Sequence, residues 1–144
     1  MSLIKKWHDT LNMPKHDEAW HKQDMADEIA EYLEATGPID TWSELSDIAY
    51  TYSRAKWSGH DTFELPLPKI KLFIGYIYMV PKYTLRWKFF RDLGHTFDKH
   101  LHISEVRNPK KTEKLKVIAE KYGLDPEEFT KKAQHLMKYR IFLK

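Results

Sequence analysis

DEIAEYLEATGPIDTWSELSDIAYTYSRA, residues 27–55, is the stretch that decides the fold. Before its centre, Met25, Ile29, Tyr32 and Leu33 recur at helical spacing; after it, Leu45, Ile48, Ala49 and Tyr52 do the same. Gly37-Pro38 separates the two patterns, with Gly37 suited to stop the first helix. The spacing predicts one helix from His16 to Ala35 and a second to about Trp57, folded back antiparallel. Thr41-Trp42-Ser43-Glu44 reads as a capping box, so the second helix is expected to open at Thr41, with Glu44 reaching back to the Thr41 amide. That gives Glu44 a competing local role.

Four carboxylates are placed symmetrically about the turn. Glu28 and Glu31 precede it, Glu44 and Asp47 follow it, and each pair has i, i+3 spacing. Residues three apart share a helix face, and packed helix axes lie roughly 8 to 10 Å apart, so an antiparallel hairpin brings both pairs to one height. Asp24, Glu28, Glu31 and Ala35 form one stripe; Glu44, Asp47, Thr51 and Arg54 form the other. Each stripe borders an apolar face, where a carboxylate is costly without a counter-charge. Hard cations would make such a pocket tolerable.

With 144 residues, 42% of them hydrophobic, the chain is expected to form one domain over 1–144. It has no cysteine, which excludes disulfides and thiolate metal sites. The most apolar run, residues 70–80, is too short to span a bilayer and contains Lys71. The N-terminal segment lacks the apolar core of a signal peptide, so a soluble cytoplasmic protein without membrane association is the expectation. The net charge of +3 hides an asymmetry: residues 1–60 carry 6 basic and 11 acidic side chains, and residues 61–144 carry 18 and 10. An acidic half able to hold cations beside a basic half able to hold phosphates suits a polyanionic substrate, although two solvated surfaces of opposite sign would look the same.

The rest of the chain also reads as helical, giving an all-α bundle of about five to six helices built around the acidic hairpin. Residues 69–79 are buried helix or strand, ended in either case by Pro81. Tyr83 to about Leu101 is an aromatic-rich helix with a break expected at Gly94. Asn108-Pro109 is expected to cap and open a helix through Tyr122, closed by Gly123. Asp125-Pro126-Glu127-Glu128 opens the last one.

Asp27-Glu28-Ile29-Ala30-Glu31, a gap of 12 residues, and Glu44-Leu45-Ser46-Asp47 together resemble the signature of the MazG-like members of the all-α nucleoside triphosphate pyrophosphohydrolases. The resemblance implies that Glu28, Glu31, Glu44 and Asp47 ligate Mg²⁺, with Mn²⁺ as a substitute. It also implies attack of a metal-activated water on the α-phosphorus of a nucleoside triphosphate, releasing a monophosphate and pyrophosphate for nucleotide-pool cleaning or balance. Glu31, near the site's centre, is the candidate general base. Asp27 departs from the family's first glutamate, a position outside the four ligands. Residues 119–140 resemble the family's closing helix, whose usual Lys-Asn pair and Arg are replaced here by Lys131, Lys132, His135, Lys138 and Arg140. Residues 57–108 form an unassigned insertion relative to a minimal member. Members commonly form dimers or higher oligomers, so a homo-oligomer is expected.

Arg54 and Lys56, about two turns beyond Asp47, and Lys131, Lys132, Lys138 and Arg140 are the candidate phosphate contacts. Trp20, two turns before Glu28, is the candidate base-stacking residue, with Trp7 and Trp42 as others. Two rival readings are weaker. His95, Asp98 and His102 have metal-ligand spacing but no satisfactory fourth ligand. The basic, aromatic-rich segment 82–116 could serve a nucleic-acid or protein-binding module, a reading that leaves the acidic hairpin unexplained and makes nucleic acid the less favoured partner.

Overall fold

The computed structural model describes residues 5, 8, 9, 13–65, 67–101 and 108–138. Among these the protein is all-α, with five helices and no strand: α1 (Glu18–Glu34), α2 (Gly37–Ser58), α3 (Lys69–Thr96), α4 (Thr112–Lys121) and α5 (Pro126–Lys138). The chain divides into two compact units, Met1–Pro81 and Lys82–Lys144. The division follows the charge asymmetry of the sequence: residues 1–81 carry 8 basic and 13 acidic side chains, and residues 82–144 carry 16 and 8.

In the first unit, Asp17 caps α1 by accepting the Trp20 amide at 2.8 Å, and an exposed Glu18–Lys22 pair spans the first turn. The helix ends at Glu34, and Ala35-Thr36 is the whole link to α2. The capping box is not formed. Pro38, whose fixed φ suits a first helical turn, starts α2 at Gly37, four residues before Thr41. Gly37 has φ 83°, so it opens the second helix and does not close the first. Thr41 lies inside α2 and donates to the Gly37 carbonyl at 2.8 Å. Glu44 is therefore not needed as a cap. At its far end α2 stops at Gly59 with φ 106°.

Met25, Ile48, Ala55 and Phe63 form the core between α1 and α2, with Ile29, Tyr32 and Tyr52 packed on it. The α3 helix crosses α2 at Gly75, where a Cβ would collide with the Leu45 carbonyl and touch Ala49. Two polar contacts tie α3 to the hairpin, one to each of its helices. Ser53 gives its one hydroxyl proton to the Ala49 carbonyl at 2.7 Å, so the Tyr76 hydroxyl donates to Ser53 Oγ at 2.6 Å. Lys71 donates to the Tyr32 hydroxyl at 2.7 Å.

Pro81 does not end the third helix, which runs through it to Thr96. Proline removes the bond to the Ile77 carbonyl. Ile77 and Pro81 are both exposed, so water can serve that carbonyl. The helix also stops short of Leu101: the chain turns back over Gly94, whose carbonyl accepts from Phe97 and Lys99, and Asp98 takes φ 52°. A Cβ on Gly94 would lie 2.5 Å from the Lys99 carbonyl.

In the second unit, Phe89, Phe90 and Leu93 of α3 pack with Leu115, Ile118 and Ala119 of α4 and with Phe129 and Ala133 of α5. Asn108-Pro109 begins a turn, and α4 starts later, at Thr112, because Asn108 Oδ1 spends its capping capacity on the Lys110 amide. Asp125 caps α5 as the sequence predicts, accepting the Glu128 amide at 2.7 Å.

Candidate metal centre

The α1–α2 register follows from three facing pairs. Thr51 donates to Asp24 Oδ2 at 3.0 Å, Asp47 acts electrostatically on Glu28, and Glu31 meets Glu44. Steps of three or four along α1 thus match equal steps back along α2, as two helices joined by a two-residue link require. One oxygen each from Glu28, Glu31 and Glu44 lies within 4.8 Å of the others. Glu28 and Glu44 are half-buried and Glu31 is exposed, which leaves the cluster open to solvent on one side.

Burial, then the negative charge of Asp47, then Glu31, Asp24 and Glu44, pushes the Glu28 carboxyl from an ordinary 4.5 up to about 8. Every charge acting strongly on Glu28 is another carboxylate. The potential donors of the cluster are all carboxylate oxygens. Such a set fits hard divalent cations, which would repay the desolvation that the carboxylates suffer.

Asp24 is a fifth carboxylate at this site. It lies one turn before Glu28 on the same stripe, and burial raises its pKa against the Thr51 hydrogen bond and the Arg54 charge. The sequence places it on the right face but outside the four acids set symmetrically about the turn, so it does not stand out there.

Beyond Asp24 the hairpin changes character. The Arg54 guanidinium lies over the Trp20 ring at 4.6 Å, and His16 stacks on the same indole with centroids 4.0 Å apart. A nucleobase would have to displace one of them to stack there. Arg54 Nε is buried without a hydrogen-bond partner among the described residues. His21 is fully buried, shares a 3.1 Å hydrogen bond with Ser58 Oγ, and lies edge-on to His60. Burial, then the charges of Arg54, His60 and His16, hold the His21 imidazole down at about 4.

The other candidates are scattered. Lys56 donates to the Asp61 carbonyl and faces Tyr52. Trp42 pairs with Tyr78. Lys131, Lys132 and Lys138 are exposed on α5 in the second unit, with Lys132 over the Phe97 ring. Arg140 and Trp7 lie outside the described residues, as does His102, whose sequence spacing groups it with His95 and Asp98. In segment 82–116, Phe89 and Phe90 are core residues and Lys82 and Arg86 are buried beside Tyr83, while Trp87, Lys88, Arg91, Lys99, Lys110, Lys111, Lys114 and Lys116 are exposed.

Comparison with known proteins finds no matching family, no similar curated protein and no similar solved structure. Among the described residues, no helix is long and apolar enough to cross a membrane.

Proposed function

We propose that the protein is a Mg²⁺-dependent nucleoside triphosphate pyrophosphohydrolase of the MazG-like kind. It would convert a nucleoside or deoxynucleoside triphosphate and water into the monophosphate and pyrophosphate, serving nucleotide-pool cleaning or balance in the cytoplasm. One observation supports this most: oxygens of Glu28, Glu31 and Glu44 converge within 4.8 Å, and the charges acting on the half-buried Glu28 are those of other carboxylates. Mg²⁺ held there, or Mn²⁺ in its place, would make water a better nucleophile and neutralise the triphosphate.

The chain's own groups have distinct tasks in this reading. Glu28, Glu44 and Asp47 hold charge in a half-buried wall, and Glu31, exposed at its edge, accepts the proton from the attacking water. The new bond joins that water's oxygen to the α-phosphorus, and the bond to the bridging oxygen of the pyrophosphate breaks. Arg54, braced on Trp20 beside Asp24, lies on the side of the wall from which a phosphate tail could be met by a planar cation.

Pyrophosphate release, measured with Mg²⁺ over a panel of natural and damaged nucleoside triphosphates, tests the reading. Turnover by the intact protein, lost in Asp47→Asn and Glu31→Gln variants of unchanged helix content, is the expected result. A folded protein with no turnover on any nucleotide overturns it.

A further inference from the structure

In the second unit, α3 divides the residues of segment 82–116 that it carries between two faces. Phe89, Phe90 and Leu93 are buried in the core. Thr84, Lys88, Arg91 and His95 are exposed, and at about 100° per residue they fall within roughly 60° of one another, one stripe about 16 Å long. Trp87, 41% exposed, stands at its edge. No carboxylate lies inside the stripe; Asp92, beside it, holds Arg91 only through long contacts of 3.3 and 3.4 Å. Over residues 70–80 the exposed side of the same helix is apolar, with Ile70, Phe73 and Ile77. After Pro81 it is cationic, in a unit whose sequence carries 16 basic and 8 acidic side chains.

We infer that this stripe is a docking surface for single-stranded nucleic acid, an activity separate from the proposed hydrolysis. An unpaired base stacks on the Trp87 indole, and backbone phosphates meet Lys88, Arg91 and His95, which recur once per helical turn. Arg91 offers a planar fork, Lys88 a point charge and His95 a ring N–H even when neutral. Three features select this partner among polyanions. First, the net +8 of the unit supplies the attraction that every phosphate chain shares. Second, Trp87 is the one large apolar side chain on the stripe, too little for an anionic bilayer, into which an interfacial helix inserts a whole apolar face. Third, an indole beside cations on a convex helix needs a free π-face: the paired bases of a duplex are covered by their neighbours, and an acidic peptide meets the cations but leaves the ring unused.

Fluorescence anisotropy of labelled oligomers of about 12 nucleotides, with the full chain in EDTA, tests the inference. EDTA keeps a metal at the acidic cluster from bridging to phosphates. Oligo(dT) and oligo(U) are titrated separately, so the two arms tell DNA from RNA; binding of either at micromolar to tens of micromolar protein and about 50 mM salt is the expected result. Trp87→Ala should weaken it roughly tenfold or more at unchanged helix content, and Trp87→Phe, which keeps a stacking face, should recover most of the loss. Lys88→Gln with Arg91→Gln should lower the slope of log affinity against log salt by about 1.4. If Trp87→Ala does not fold, that change of slope alone decides. No binding of either oligomer, binding that Trp87→Ala leaves unchanged, a salt slope that the double variant leaves unchanged, a duplex bound as tightly as the single strand, or preferential binding to phosphatidylglycerol vesicles overturns the inference.

Discussion

The two ends of the α1–α2 hairpin face opposite electrostatic problems. Next to the link, Glu28, Glu31, Glu44 and Asp47 crowd negative charge together, and Glu28 holds its proton up to about 8. At the open end, Arg54, His16 and His60 crowd around His21, which is held neutral down to about 4. Thr51–Asp24 lies between them. The open end is already filled, by an indole, stacked rings and a hydrogen bond to Ser58. At the acidic end, the charges that act on Glu28 are those of other carboxylates. One pair of helices thus carries a region packed with rings and cations and a region where a half-buried carboxyl is crowded by other carboxylates.

The largest effect should come from removing charge at the acidic end. Glu28→Gln is expected to reduce Mg²⁺-dependent turnover by at least about a hundredfold, with Mg²⁺ affinity measured by calorimetry falling in parallel. If turnover survives, the cluster is not where the chemistry happens.

The same residue gives the second test, on metal-free protein. A carboxyl whose folded pKa lies above its unfolded value binds more protons when folded, so stability falls as pH rises from about 4.5 to about 8. The loss would be at most about 5 kcal/mol, less where solvent screens the neighbouring acids. Denaturant unfolding across that window should show the decline, Glu28→Gln should flatten it, and Mg²⁺ should oppose it.

The open end should respond to pH in the opposite sense. His21 has a folded pKa below its unfolded value, so the unfolded chain binds the extra proton and stability is lost as pH falls from 6.5 towards 4. His21→Phe should remove that acid sensitivity without changing the slope above neutrality. A common slope change at both ends would show that the two regions titrate as one.

Thr51→Val is the smallest perturbation and lies at the border. Losing the 3.0 Å hydrogen bond should cost about 1 to 2 kcal/mol in urea unfolding and raise the Asp24 pKa further, read by NMR titration. An unchanged Asp24 titration would mean that another donor stabilises its charged form.

Much of the hairpin was legible because its information is local. Periodicity places Met25, Ile29, Leu45 and Ile48, and the distances of the four acids from Gly37-Pro38 set their register. The capping box at Thr41 misled because Pro38 nucleates α2 earlier, a competition that the two motifs do not reveal separately. Pro81 misled because whether proline ends a helix depends on whether the carbonyl four residues back can reach water. Asp24 was on the right stripe, yet its importance comes from Thr51 and Arg54, 27 and 30 residues away in sequence. The exposed face of α3 was hidden because a segment apolar all round gives no sign of which side is covered.

The two-residue link between α1 and α2 has a consequence for the order in which the molecule is made. All four acids fall within residues 28–47, and the core partners Met25 and Ile48 lie just outside them. Contacts this close in sequence form early, so the hairpin can zip on a ribosome-bound chain before α3 has emerged. A cation captured at that stage would act first as a folding aid.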